Sequence, residues 1–131
     1  MDGGLAMDIE LVAHKVVDSA MKVHSILGPG LLESAYKACL TYELQKRGLR
    51  VRTEVELPVI YDGVKVGVGY RVDQVVEECV ITELKAVARL PDVHDAQLLS
   101  HLKLSQLKLG FRINFHVVHL KDGIRRMVNG L

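Results

Sequence analysis

Three residues in the middle of the chain could do chemistry together: Asp73, Glu83 and Lys85. Glu83 and Lys85 lie two apart in Cys79-Val80-Ile81-Thr82-Glu83-Leu84-Lys85-Ala86-Val87, a run that is otherwise almost wholly apolar. Such a run reads as a central strand covered on both faces. The two-residue repeat of a strand puts Glu83 and Lys85 on one face. A carboxylate and an ammonium in a core strand are costly unless they are paired or bind something. Asp73, in Gly69-Tyr70-Arg71-Val72-Asp73 of the preceding strand, falls beside Glu83 if a tight connection at Glu77-Glu78-Cys79 joins the two strands. Adjoining carboxylates repel, and a cation between them relieves the repulsion. All-oxygen donors suit Mg²⁺ or Mn²⁺ better than Zn²⁺. Lys85 beside such an ion could stabilise developing negative charge or help activate a water. The alternative is structural: Glu83 and Lys85 form an ion pair with Asp73 at a sheet edge.

For these residues to meet, the elements around them must form a sheet. From Asp8, the apolar positions Ile9, Val12, Val16, Ala20, Val23 and Leu27 recur every three or four residues, which predicts an amphipathic helix that Gly28-Pro29-Gly30 stops. A second helix is predicted from Leu31 to Arg47, with Gly48 just past its end. Val51 to Tyr61 alternates as a strand, Asp62-Gly63 is a hairpin turn, and Val64 to Glu77 returns. Gly67 and Gly69 point to a bulge or a close backbone approach in that returning strand. Val80 to Val87 is the third strand, and Val93 to Leu109 a helix ended by Gly110. Phe111 to Leu120 is the fourth strand and Ile124 to Val128 a short edge strand. The order ααβββαβ(β) predicts an α/β (α+β) domain with a mixed central sheet flanked by helices. The step through the Val93 helix predicts a crossover between parallel strands.

The same residues resemble a known family. Asp73 followed by Glu83-Leu84-Lys85 resembles the active-site signature of the PD-(D/E)XK nuclease superfamily. Gly30-Leu31-Leu32-Glu33-Ser34-Ala35-Tyr36 spells G-x-x-E-x-x-Y, the string that names the GxxExxY family, whose members look like minimal PD-(D/E)XK proteins. Gly69 to Asp73, Gln97-Leu98-Leu99-Ser100-His101-Leu102-Lys103 and Gly110-Phe111-Arg112-Ile113-Asn114-Phe115 extend the resemblance over nearly the whole chain. It implies a restriction-endonuclease-like core and Mg²⁺-dependent (or Mn²⁺-dependent) hydrolysis of phosphodiesters in nucleic acid, DNA in preference to RNA. It also implies roles. Asp73 and Glu83 are the main metal ligands, with the Leu84 carbonyl a third and Glu33 completing the shell directly or through water. Lys85 is the catalytic lysine, and Gln97 supports the lysine or the phosphate. Relatives often carry Tyr four residues after that Gln. Here the position is His101, whose imidazole can hydrogen-bond a phosphate and is shorter than a tyrosine. Val72 stands where the superfamily name has Pro. The alternative is a non-cleaving nucleic-acid-binding or regulatory module that keeps the nuclease fold.

Three further residues have two readings each. Tyr36 lies three residues after Glu33 on one helix face, where it orients that carboxylate or packs with its hydroxyl at the rim. Arg71 binds phosphate, or pairs with Asp73 or Glu56. Lys103 reaches a phosphate or is a solvated helix lysine.

Composition sets the outer bounds. At 131 residues the chain is one domain, expected at 8–131 behind a loose tail at 1–7. The tail lacks the pattern of a secretory signal, and no apolar run is long enough to cross a membrane. Two distant cysteines, Cys39 and Cys79, fit reduced thiols in a cytoplasmic protein. A net charge of +1 leaves any polyanion to a local patch, such as Lys46-Arg47 with Arg50 and Arg52, or Lys103, Lys108 and Arg112, or Arg125-Arg126. Aromatic residues are only 5%, which argues against a base-stacking platform. No His or Cys pair has zinc-ligand spacing, and Glu54 and Glu56 read as solvent-facing. So short a chain has few loops with which to grip a duplex, so a homodimer is expected.

Overall fold

In a computed structural model of the chain, residues 7–131 are described. Residues 1–6 of the expected tail lie outside the described residues, and Met7 packs half-buried against the core. Helix α1 spans Ile9–Leu27 and is capped by Asp8, whose carboxylate accepts from the Glu10 backbone N–H at 2.7 Å. Gly28 ends it in a left-handed conformation, φ 68°. Helix α2 spans Glu33–Lys46, two residues later than the periodicity predicts. Then follow β1 (Val51–Tyr61), β2 (Val64–Val76), β3 (Val80–Lys85), α3 (Val93–Ser105), β4 (Leu109–Asn114), a 3₁₀ turn (Leu120–Gly123) and β5 (Ile124–Val128).

The five strands lie in the order β1-β2-β3-β4-β5. All neighbours are antiparallel except β3 and β4, which run parallel on either side of the α3 crossover, as expected. One apolar layer lies between the sheet and the α1–α2 pair and contains Val12, Val16, Leu40, Leu44, Val80 and Leu84. The other lies under α3 and contains Leu57, Val72, Val75, Ile81, Leu98 and Leu102. The alternation along β3 explains this: Val80, Thr82 and Leu84 face α1 and α2, while Ile81 and Glu83 face α3.

The expected boundaries move most around α3 and β4, and β3 ends at Lys85 rather than Val87. Helix α3 stops at Ser105 rather than Leu109, because Gln106 turns left-handed at φ 62° and Ser105 Oγ accepts from the Leu107 N–H at 3.2 Å. Gly110 therefore does not end a helix. It sits inside β4, where a Cβ would meet Leu98 Cδ1 at 2.9 Å, so its bareness admits α3 to the sheet. Strand β4 ends at Asn114 instead of Leu120. The Asn114 amide donates to the Val87 carbonyl at 2.9 Å and its oxygen accepts from Val87 N–H at 3.1 Å, tying down the chain that leaves β3. The bulge foreseen near Gly67 and Gly69 is present. Pro58 faces Gly69 but Ile60 faces Lys65, so β2 carries extra residues there.

Two features of β2 create the site. First, it pairs with β3 only over Gln74–Val76 against Val80–Thr82, so the strands part beyond Thr82 and leave a fork. Second, its alternation breaks at the same place. Val72 and Val75 both pack on the α3 side, a three-residue step, and the facing residue Glu54 of β1 is left-handed at φ 52°. Asp73 and Gln74 thereby turn toward α2.

Candidate active site

Helix α2 enters the site through the G-x-x-E-x-x-Y string. Gly30 turns the chain at φ 101°, and Leu32 precedes the first helical residue, Glu33. Tyr36 is fully buried. Its hydroxyl donates to the Gly28 carbonyl at 2.5 Å and accepts from the Leu31 N–H at 3.1 Å. Its ring stacks on Phe115 at 4.4 Å between centroids. Tyr36 thus clamps the α1–α2 turn and sets where α2 begins. Of its two expected roles the packing one holds, although the hydroxyl is inside the turn rather than at a rim. The substrate role is corrected: a buried hydroxyl committed to backbone has no surface to offer. One turn further on, Thr41 Oγ1 donates to the Lys37 carbonyl at 2.8 Å and accepts from Gln74 Nε2 at 2.7 Å, while Thr82 Oγ1 donates to Gln74 Oε1 at 2.7 Å. This buried chain of hydrogen bonds pins α2 across β2 and β3.

Where the fork opens, the Leu84 N–H has lost its strand partner, and Asp73 Oδ2 accepts from it at 2.7 Å. The N–H and C=O of a strand residue leave on the same edge, so the Leu84 carbonyl also faces the fork. The other oxygen of Asp73 lies 3.0 Å from Lys37 Nζ, which also binds Glu54. Burial works against the Lys37 ammonium, but its hydrogen bonds to Glu54 and Asp73 outweigh that and hold its pKa above the usual lysine value. Glu33 stands at the same mouth. Burial first, and then the Asp73 charge, push its carboxyl above the ordinary value; Lys85 and Lys37 oppose the rise and Glu54 adds to it. Glu33, Asp73 and Lys85 therefore share one electrostatic neighbourhood.

Glu83 is buried on the opposite side, where its carboxylate pairs with His101 Nδ1 of α3. The expectation that Asp73 and Glu83 lie side by side holds along the backbone, since Asp73 bonds the residue after Glu83. It does not hold for the carboxylates, one of which turns to α2 and the other to α3. The reason is the broken alternation of β2. His101 likewise spends Nδ1 on Glu83. Arg71 is exposed and reaches Glu54 at 4.0 Å rather than Asp73 or Glu56. Gln97 and Lys103 are exposed on α3 and line, with His101, a cleft of about 540 Å³. Among the described residues no three His, Cys, Asp or Glu side chains stand close enough together to hold a metal.

Lys37 escaped the sequence reading. Its signal was there: it follows Glu33 by four residues, the spacing that stacks side chains on one helix face. Glu54, exposed as expected, is its second partner. The expected basic patches are largely spent on internal acids. Arg47 meets Asp18 and Glu43, Arg50 meets Glu77, Arg52 meets Glu78, Arg112 and Arg125 meet Asp95, and Arg126 meets Glu10.

A family model described as the PD-(D/E)XK nuclease superfamily matches residues 10–127. The chain belongs to that superfamily. The match spans both helices that precede the sheet and ends within β5, and the mixed sheet with flanking helices is its restriction-endonuclease-like fold. No curated protein and no solved structure matches. No helix among the described residues is long and apolar enough to cross a membrane. In this PD-(D/E)XK domain the fork between β2 and β3 is lined by Asp73, Leu84 and, from α2, Glu33.

The crowding at Glu33 has a measurable consequence. An acid whose pKa is raised by folding costs stability once pH exceeds its unfolded value, and the cost disappears when pH falls below it. Glu33→Gln removes the charge. Thermal melts should therefore show the variant more stable than the parent at pH 7, with the gain fading as pH drops below the ordinary carboxyl value of 4.5. An equal gain at pH 7 and pH 4 would show that the carboxyl is not strained.

Proposed function

We propose that this PD-(D/E)XK domain is a GxxExxY-type, metal-dependent nuclease that hydrolyses phosphodiesters in DNA. The observation that carries the reading is the bond from Asp73 to the Leu84 N–H at the mouth of the fork, within electrostatic reach of Glu33 and beside Lys85. The donors suit a hard divalent ion in their chemistry. Glu33, Asp73, Glu83 and the Leu84 carbonyl are all oxygen, and Glu33 and Asp73 repel each other as acids awaiting a cation do. Glu33, Asp73 and the Leu84 carbonyl would hold Mg²⁺ or Mn²⁺ at the fork, and Glu83 would join them by giving up His101 and turning from the α3 side. Bound there, the ion would supply Lewis acidity for the phosphate and would lower the pKa of a water. Lys85 follows Glu83 on β3 and lies within electrostatic reach of Glu33, which supports a role for its ammonium in meeting charge that builds on the phosphate. Gln97, on the exposed face of α3, orients the phosphate. Until Glu83 turns, His101 holds its carboxylate on the α3 side.

One observation favours the second reading, a non-cleaving binding module. Asp73 already pairs with Lys37 and Glu83 already bonds His101, so both acids have partners without a metal. A single assay separates the two. Purified protein is incubated with linear, supercoiled and single-stranded DNA and with RNA, in Mg²⁺, Mn²⁺ or EDTA. Cutting that EDTA abolishes supports the nuclease. Binding without cutting supports the module.

We further propose that the domain works as a homodimer. Ile26 and Tyr42 are exposed beside an apolar groove of about 360 Å³ between α1 and α2, which a second copy would cover. Sedimentation of the free protein is expected to give twice the 14.6 kDa chain mass. A monomer at all concentrations would overturn this.

A further inference from the structure

The cleft under α3 has features that phosphodiester chemistry does not use. One wall is the exposed face of α3, with Gln97, Ser100, Lys103 and Leu104; the other is the β1–β2 pair, with Val59 and Tyr70. Tyr70 is 52% exposed, although its neighbour in the pairing, Leu57, is buried. Its ring therefore has a free surface at the cleft. The His101 ring lies 5.3 Å from it, tilted by 45°, and that imidazole is the one bonded to Glu83. A single side chain thus separates the Tyr70 ring from the motif acid.

A flat apolar surface edged by a hydroxyl and an ammonium matches one kind of group closely. A nucleobase offers a π-face to stack and an edge of donors and acceptors to bond, and the phosphate beside it meets a cation. Aliphatic ligands would not use the ring face, and a base inside a duplex has both faces covered by its neighbours. We propose, resting on the nuclease reading of the adjoining site, that this cleft is a nucleobase subsite. In it one unstacked base of single-stranded DNA lies on Tyr70, with Ser100 at its edge and Lys103 on the flanking phosphate, while Gln97 keeps its place toward the scissile phosphate. The scarcity of aromatic residues in the chain is no obstacle, because one base needs one ring. The domain then takes single-stranded or frayed DNA ends in preference to intact duplex, and Tyr70 determines that preference.

The test is binding in EDTA, where no strand is cut. A short single-stranded oligonucleotide carrying 2-aminopurine is titrated with the full chain, with the matching duplex run in parallel. Stacking on Tyr70 should quench the probe. Tyr70→Ala should weaken single-strand binding by about tenfold and abolish the quench, while Tyr70→Phe keeps both. Duplex affinity should change less than about twofold in either variant. Lys103→Ala should weaken binding to both forms and flatten the salt dependence by about one ion. Circular dichroism of Tyr70→Ala checks that the exposed position tolerates the change, and Tyr70→Leu repeats the test with an apolar side chain that cannot stack. If both Tyr70→Ala and Tyr70→Leu bind and quench like the parent, the subsite is wrong, even if the protein cuts DNA. If the quench depends on Tyr70 but no metal produces cutting, the subsite stands and the nuclease reading fails.

Discussion

Glu83→Ala is expected to reduce metal-dependent DNA cleavage by about 10³-fold or more, because loss of one acid from a small all-oxygen set removes several kcal/mol of charge stabilisation. Lys85→Ala should cost about 10²- to 10³-fold, the usual penalty for deleting one preorganised donor to a developing anion. The two variants differ in what else they disturb. Glu83 is buried against His101, so alanine leaves that imidazole without its partner and costs about 1–3 kcal/mol of stability besides. Glu83→Gln is therefore the sharper variant, since its amide keeps the shape and a hydrogen bond to His101 while removing the charge. Its fold should persist by circular dichroism and its cutting should not. Rapid cleavage by a folded Glu83→Gln protein would remove Glu83 from the site, and the same result for Lys85→Ala would remove the lysine.

The second large effect is on stability. Tyr36→Ala should destabilise the domain by about 3–5 kcal/mol, the range for deleting a buried aromatic ring. The ring is fully buried and stacked on Phe115, so little can collapse into the space it leaves. Tyr36→Phe isolates the clamp. It keeps the stacking but strands the Gly28 carbonyl and the Leu31 N–H, and should cost about 1–3 kcal/mol. Urea denaturation followed by far-UV circular dichroism gives both numbers. Equal stability of Tyr36→Phe and the parent would mean that the hydroxyl does not hold the turn. A destabilised clamp should also lower activity, because the turn sets where Glu33 enters the fork.

The glycine and tyrosine of the G-x-x-E-x-x-Y string are thus read structurally, and the glutamate between them is the residue they place. The motif was visible in the sequence, but this division of labour was not. A tyrosine one turn along from an acid looks the same whether it orients the acid or braces a turn. Only Phe115, nearly eighty residues away, and the turn behind it distinguish the two.

Most elements were legible because their signals are local. Asp8 caps α1, Gly28 ends it, Asp62-Gly63 turns the hairpin, and the apolar run of β3 needs no partner to be recognised. The boundaries that moved lacked such a signal. Gly110 looked like a helix stop, yet its task is to let Leu98 approach β4, a contact between elements. Ser105 and Gln106 end α3 through a local side-chain bond and a left-handed residue that is not glycine, and neither stands out by residue type.

By itself the sequence determined which residues are available to the site, which strand carries the acid and the lysine, and the type and order of the helices and strands. Those properties follow from residue type, periodicity and turn chemistry, which act over a few positions. The tertiary structure alone decided where each carboxylate points. Strict alternation would have put Asp73 and Glu83 on one face. The three-residue step from Val72 to Val75, opposite the left-handed Glu54, turned Asp73 to Lys37 and left Glu83 with His101. The direction of a side chain at an irregular strand position depends on which helix lies across it, and packing between distant segments sets that.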